Sequence, residues 1–323
     1  NHYWGIWHGE APLKDFYSHI PRFASEYGMP SLGLSSSINK YNSNSYYLLS
    51  RMKSYKGMKL LNRYMNDYLP APTNDTALSY ASRYIQYKAL KMAYNAHLYN
   101  FSNCSGSLFW QFNESWPGIT WAAIDFSGAR KIPPYFSDLA MLVIEKGSTK
   151  LKISETTSKK QVLNSIELTL KATDGKLIKK HTLKCSIKDL KAGIEINPYR
   201  YFDTLELKQA YLKIAVKNIE PYNEITVWDT LIMLIKEKEM SLNKPNITVA
   251  KVDDHHLKLS SNTLVLGLFI GVDGDSKLKF NHNFINLENG VERIISFEGD
   301  VNEIDASKLK FYSVYNLQQG KKE

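Results

Sequence analysis

Glu26 is the carboxylate whose setting most invites chemistry. It closes the short apolar run Arg22-Phe-Ala-Ser-Glu26, directly before Tyr27-Gly28. A run of that length ended by a turn signal predicts a buried strand. In α/β barrels the carboxyl ends of the strands build the active site, so an acid placed there can act as a nucleophile or exchange protons. The same residue could equally cap a helix or pair with Arg22, and spacing alone leaves both readings open.

Tryptophan placement adds to this. Trp4, Trp7 and His8 crowd the start of the chain, and Trp110, Trp116 and Trp121 crowd a second apolar run, Ser107-Leu-Phe-Trp-Gln-Phe-Asn113, and its exit through Trp116-Pro117-Gly118. Large rings with a polar edge suit a pyranose, which offers a C–H face for stacking and a rim of hydroxyls for hydrogen bonds. Phe109 and Phe112, alternating with Trp110, are expected in the core. Trp116 and Trp121, near Pro117, could instead pack the loop.

The elements that must position these residues change character along the chain. Leu78, Ala81, Ile85, Ala89, Met92, Ala96 and Tyr99 step by three or four, which predicts a helix from Thr76 to Tyr99 capped by Asn74, Asp75 or Thr76. An earlier helix is expected from about residue 45 to 67, and a third over 135–145 after Pro133-Pro134. Strands alternating with helices imply an α/β unit with parallel strands. After residue 148 the period becomes two: Ile166, Leu168 and Leu170, a turn at Asp174-Gly175, Leu183, Cys185 and Ile187, then Leu212, Ile214 and Val216. A second all-β block follows from about Asn246, with Leu264, Leu266 and Leu268 before a turn at Asp273-Gly-Asp275. The spacing predicts two immunoglobulin-like β-sandwiches, giving domains at 1–147, 148–240 and 241–323 with a charged linker near 236–245.

Composition narrows the function classes. Of 40 aromatic residues in the 323, 27 fall within the first 145. The net charge of +9 is spread along the chain, and lysines alternate with acids as on a solvated strand face. Nucleic acid is therefore not an expected partner, since a binder concentrates its basic residues. No run of 18 apolar residues exists, so no membrane-spanning helix and no membrane partner are expected. Asn1 is not followed by a leader, and any signal segment is expected to lie outside this sequence. Cys104 and Cys185 are too few for a disulfide scaffold or a cysteine metal site, and whether they pair stays open. No metal is expected: the eight histidines lack ligand spacing, His255-His256 face opposite sides of a predicted strand, and Asp253-Asp254 and Asp273-Gly-Asp275 read as turns.

Several stretches together carry a family resemblance. Arg22-Phe-Ala-Ser-Glu-Tyr-Gly-Met-Pro-Ser31 resembles the nucleophile motif of glycoside hydrolase family 2, in its β-mannosidase branch. Ser107-Leu-Phe-Trp-Gln-Phe-Asn-Glu-Ser-Trp-Pro117 is similar to that branch's eighth-strand motif, continued by Trp121-Ala-Ala-Ile-Asp-Phe-Ser-Gly128. His2-Tyr-Trp-Gly-Ile-Trp-His-Gly9 resembles the loop ahead of the nucleophile strand. Tyr80-Ala-Ser-Arg-Tyr-Ile-Gln86 is similar to the intervening helix, with Arg83 where Gln is common. Phe280-Asn-His-Asn-Phe-Ile-Asn-Leu-Glu-Asn-Gly290 resembles the terminal sandwich.

The resemblance implies the carboxyl-terminal part of a (β/α)8 TIM barrel followed by two immunoglobulin-like β-sandwiches. It makes Glu26 the nucleophile of a retaining exo-β-glycosidase, Trp110 a wall of the sugar site and Tyr3 the tyrosine that hydrogen-bonds the nucleophile. Trp4, Trp7 and His8 would line the pocket mouth, with Asn113 near the site and Glu114 structural. It implies a carbohydrate substrate, a terminal β-mannoside first, no cofactor, and a secreted, periplasmic or lysosomal-type compartment. A retaining mechanism also needs an acid/base carboxylate about 5 Å from the nucleophile. In the family this is a Glu after Asn, well upstream. Before Glu26 the only acids are Glu10 and Asp15, and neither follows Asn. The sequence is thus expected to be the carboxyl-terminal portion of a larger enzyme, inactive alone, whose upstream part is its partner. Exo-β-glucosaminidase, β-galactosidase or a non-catalytic carbohydrate-binding protein are the alternatives.

Overall fold

The computed structural model describes residues 1–34, 52, 57–134, 140–145, 148–153, 164–186, 188–189, 194–202, 210–219, 224–272, 278–299 and 309–320. Among them the chain is mostly β-sheet with few helices. It forms two units: Asn1–Phe136 together with Lys244–Glu323, and Ser137–Asn243.

In the first unit the longest element is helix α2 (Asp75–Tyr99), preceded by α1 (Gly57–Tyr68). Asn74 caps α2, its side chain accepting from the Ala77 N–H at 2.9 Å. Of the predicted stripe, Ala81, Ile85, Ala89 and Ala96 are buried, while Leu78, Met92 and Tyr99 are half-buried and Ala93 is buried beside them; the alanines let other chain segments approach the helix closely. A stripe of Ser79, Ser82 and Gln86 is buried too. The earlier helix is described only from Gly57, and most of 45–56 lies outside the described residues.

Three short segments carry the parallel pairing. Residues 22–27 are flanked on one side by residues 1–3, with a parallel bridge between His2 and Glu26, and on the other by 105–110, bridged between Ala24 and Ser107. Backbone bonds from Ser25 N–H to Asn1, Leu108 N–H to Ala24 and Trp110 N–H to Tyr27 fix that order.

The terminal β block of the same unit comprises β8 (Ile247–Lys251), β9 (His256–Ser261), β10 (Val265–Val272), β11 (Lys279–Phe280), β12 (Ile285–Leu287), β13 (Arg293–Glu298) and β14 (Leu309–Tyr312), then helix α3 (Val314–Gln319). Its sheets run β12-β10-β14 and β11-β13-β9-β8, enclosing Leu257, Leu259, Leu268, Ile270, Ile295 and Phe297. His255 lies in a bend and only His256 enters β9, so the expected alternation of the two on one strand does not hold. Asp253 accepts from the His255 N–H and meets the His256 ring at 2.8 Å, forming a turn instead. The turn expected at Asp273-Gly-Asp275 lies outside the described residues.

The second unit holds β1 (Ala140–Glu145), β2 (Ser148–Ile153), β3 (Asn164–Ala172), β4 (Leu177–Cys185), β5 (Ile194–Ile196), β6 (Ala210–Ile219) and β7 (Glu224–Ile232), in sheets ordered β1-β2-β5 and β4-β3-β6-β7. Ile166, Leu168, Leu170, Leu212, Ile214 and Val216 form its core, and Gly175, at φ +86°, turns β3 into β4. The helix expected over 135–145 is corrected here. Residues 140–145 form β1, paired antiparallel with β2 from Ala140↔Ile153 to Glu145↔Ser148, and 135–139 lie outside the described residues. Val143 and Ile144 are β-branched, and a partner strand a few residues on outweighs the weak helical pattern of an apolar run. Cys104 and Cys185 are both free thiols.

Candidate functional site

Glu26 sits on the middle one of the three parallel segments, and both of its carboxylate oxygens are held. The Trp4 indole N–H donates to Oε2 at 3.1 Å, and His2 Nε2 lies 3.2 Å from Oε1. The other imidazole nitrogen of His2 meets the Ser25 hydroxyl at 2.9 Å. The Glu26 side chain keeps 27% of its exposure, enough to be reached from outside. Neither a helix cap nor a pairing with Arg22 is its environment.

His2 and Trp4 are two residues apart on an extended segment, so they share a face, and Tyr3 takes the other. The Tyr3 hydroxyl donates to Asp15 in the short 3₁₀ helix Leu13–Tyr17, and its ring stacks on His19 at 4.7 Å. Desolvation and the bond to Asp15 push the Tyr3 phenol upward. The Tyr3 hydroxyl therefore bonds Asp15 rather than the carboxylate; the Trp4 indole bonds Oε2, and the His2 ring contacts Oε1.

Trp4, Trp7, His8 and Trp121 form one aromatic cluster. Trp121 meets Trp4 and Trp7 edge-on at 6.1 and 6.0 Å, and Trp4 meets His8 at 5.3 Å. Within it the roles differ. His8 is exposed, whereas Trp7 is wholly buried, stacked on Tyr64 at 6.2 Å, and supports the cluster from behind rather than lining an opening. Trp110 is 44% exposed, and its carbonyl oxygen presses on Gly28, where an added Cβ would lie 2.3 Å away. Asn113 is exposed and bridges to Ile124. Phe112, expected in the core, is 68% exposed, because Leu108, Trp110 and Phe112 share one open face of their segment.

The loop that follows is tied down by buried charge. Glu114 accepts from the Thr120 hydroxyl and from the Phe126 N–H at 3.0 Å, with the Lys131 ammonium 3.9 Å away. Lys131 also donates to the Ser31 and Thr120 carbonyls, each at 2.9 Å; burial pushes its pKa down to about 8, with Glu114 and Asp125 opposing. Asp125 Oδ1 accepts from Ser127 and Ala129 and shapes the turn. Glu114 and Asp125 are thus engaged as structural acids.

Sequence reasoning missed three positioning groups. His2 could have been read from its two-residue offset to Trp4, had residues 1–4 been taken as strand rather than loop. Gln86, fully buried, accepts from the Ser31 hydroxyl at 2.6 Å and donates to the Trp121 and Ala122 carbonyls at 2.9 and 3.0 Å, joining the exit of the Glu26 segment to the Trp121 segment. Behind Glu26, the Ser107 hydroxyl bonds both Tyr27 and His97, and burial lowers the His97 pKa to about 4, leaving a neutral ring. Among the described residues no three His, Cys, Asp or Glu side chains gather as for a metal ion, and no helix is long and apolar enough to cross a membrane.

No family model matches the chain. It is 26% identical over 136 residues to β-mannosidase B of Emericella nidulans and 26% identical over 147 residues to that of Aspergillus niger. These alignments take in 39% and 42% of this chain but only 16% and 17% of the relatives, so the chain spans a small part of their length. Its fold superposes on β-D-mannosidase from Dictyoglomus thermophilum with a TM-score of 0.76 at 20% identity, covering 97% of this chain and 40% of that one. The exo-chitosanase CsxA of Amycolatopsis orientalis follows at 0.62 and 12% identity, covering 94% and 44%. The two sequence relatives and the first of these two solved structures are all β-mannosidases.

Proposed function

We propose that this chain is the carboxyl-terminal portion of a retaining exo-β-mannosidase and carries its nucleophile, Glu26. The observation that supports this best is the carboxylate itself. It stands on a segment paired in parallel on both sides, partly exposed, one oxygen accepting from the Trp4 indole and the other in contact with the His2 ring, beside a cluster of tryptophans. In this reading the three parallel segments are the remnant of a (β/α)8 barrel within 1–147, and 148–240 and 241–323 are immunoglobulin-like sandwiches. The pairing of one three-stranded with one four-stranded antiparallel sheet in each β block supports the sandwiches.

In the reaction a Glu26 oxygen attacks the anomeric carbon as the bond to the leaving oxygen breaks, and that oxygen takes a proton from a general acid. Water then attacks the glycosyl ester, giving its proton to the same group now acting as base, and Glu26 leaves as carboxylate. Trp4, His8 and Trp110 offer ring faces and polar edges for the terminal mannose, with Asn113 as a further polar contact. The acid/base belongs, in this reading, to a part of the enzyme upstream of this chain. The acids described near Glu26 are otherwise engaged: Glu10 with Arg63, Asp15 with Tyr3 and His19, and Glu114 and Asp125 within the loop.

In the intact enzyme Glu26→Ala is expected to abolish hydrolysis of an aryl β-D-mannoside while sugar binding persists; near-normal turnover would refute the assignment. The 323-residue chain alone is expected to release no aryl alcohol, and robust release would show that it holds its own acid/base. A panel of aryl β-glycosides separates mannosidase from exo-glucosaminidase specificity.

A further inference from the structure

We propose that His2 is a positioning residue for the Glu26 carboxylate, orienting it through Oε1 as Trp4 does through Oε2. This rests on the reading of Glu26 as nucleophile. The final torsion of a glutamate is broad, so an unrestrained carboxylate turns freely about its own axis. Contacts on both oxygens restrict that freedom: the Trp4 indole N–H donates to Oε2 at 3.1 Å, and from the same face of the segment the His2 imidazole comes within 3.2 Å of Oε1.

His2 is itself held. Its backbone bridges Glu26, the Tyr3 N–H donates to the Glu26 carbonyl at 2.8 Å, and the Ser25 hydroxyl meets Nδ1 at 2.9 Å. With Nδ1 engaged by the Ser25 hydroxyl, Nε2 is the ring nitrogen that faces Oε1. The imidazole is thereby anchored on the residue just before the carboxylate it orients. When one oxygen of Glu26 forms the bond to the anomeric carbon, the other becomes the ester carbonyl. A polar contact on each oxygen keeps the carboxylate plane fixed through that change. Displacing a reacting group by about 1 Å costs up to about 100-fold in rate, so loss of one of two orienting contacts falls within about 10- to 100-fold.

The test uses the intact enzyme and an aryl β-D-mannoside. His2→Ala should lower kcat by about 10- to 100-fold and leave KM within about threefold. His2→Gln, which places an amide N–H near the position of Nε2, should restore kcat to within about fivefold of the parent. A loss of packing alone would not be repaired by Gln. If His2→Ala stays within about twofold of the parent, or if the Gln variant is as slow as Ala, the proposal is overturned. Glu26→Ala assayed alongside separates the two ideas. An active Glu26→Ala removes the nucleophile itself, whereas an inactive one beside a normal His2→Ala removes only the role of His2.

Discussion

Replacing Gln86 by Leu tests whether helix α2 holds the segment that carries Glu26. The side chain is fully buried and makes three hydrogen bonds, from the Ser31 hydroxyl and to the Trp121 and Ala122 carbonyls. Leu is of similar size, so the cavity contribution is small and the polar loss dominates. The Trp121 carbonyl keeps a bond from the Gln111 N–H at 3.1 Å, so the groups stripped of this partner are chiefly the Ser31 hydroxyl and the Ala122 carbonyl. At about 1–3 kcal/mol for each buried group left unpaired, the expected loss is about 3 kcal/mol. Urea unfolding followed by tryptophan fluorescence reads chiefly this unit, because Trp4, Trp7, Trp110, Trp116 and Trp121 lie in it and only Trp228 lies in the other. With a denaturant slope of about 2–3 kcal/mol per molar, the midpoint should fall by about 1–1.5 M. Gln86→Glu should be at least as damaging, since a carboxylate would face the Trp121 and Ala122 carbonyls. A midpoint shift below about 0.3 M for the Leu variant would refute the assignment of Gln86 as the tie between the two segments.

Further outcomes follow from close contacts and from burial. Gly28→Ala puts a methyl group 2.3 Å from the Trp110 carbonyl oxygen, and should cost about 1–3 kcal/mol in the same unfolding assay because backbone rather than a flexible side chain must give way. His97, with its pKa lowered from 6.5 to about 4 by burial, refuses a proton that the unfolded chain accepts between those values, so stability is lost as pH falls through that window. Between pH ~7.5 and ~5 the loss should be about 1–2 kcal/mol, and His97→Gln should flatten that part of the urea-midpoint profile; an unchanged slope would assign it elsewhere.

What could be read in advance was whatever repeats locally. The periodicity of α2, a cap among residues 74–76, the β3–β4 hairpin at Asp174-Gly175 and the buried alternation of Ile166, Leu168 and Leu170 are each written in contiguous sequence. What could not be read depends on partners distant in the chain. Residues 140–145 look helical until β2 is placed beside them. Phe112 looks like core until the open face of its segment is seen. The role that the family resemblance implied for Tyr3 has the same root: only the parallel pairing of residues 1–3 with 25–26 shows that Tyr3 faces Asp15 while His2 and Trp4 face the carboxylate.

Helix α2 explains why residues so far from Glu26 in sequence belong to its support. One face grips the chain just after the carboxylate: the Ser79 hydroxyl donates to the Gly33 carbonyl at 2.7 Å, Ser82 accepts from the Leu32 N–H at 3.1 Å, and Gln86 meets Ser31. Its other face carries the terminal β block. The Tyr80 hydroxyl donates to the Gly267 carbonyl at 2.7 Å, and Tyr87 stacks on Phe284 at 5.5 Å. Gly267 has φ +62°, and a Cβ there would lie 2.4 Å from the Tyr84 ring, so both the backbone angle and the packing require glycine. Arg83 lies between these faces, 4.1 Å over the Phe269 ring and bonded to the Ser79 carbonyl, with burial pushing its pKa downward. A buried cation is costly unless its surroundings compensate, and a ring face with a backbone acceptor is the kind of compensation that requires the β block to stay docked. The helix that holds residues 31–33, just beyond the Glu26 segment, is therefore itself held by strands nearly two hundred positions later.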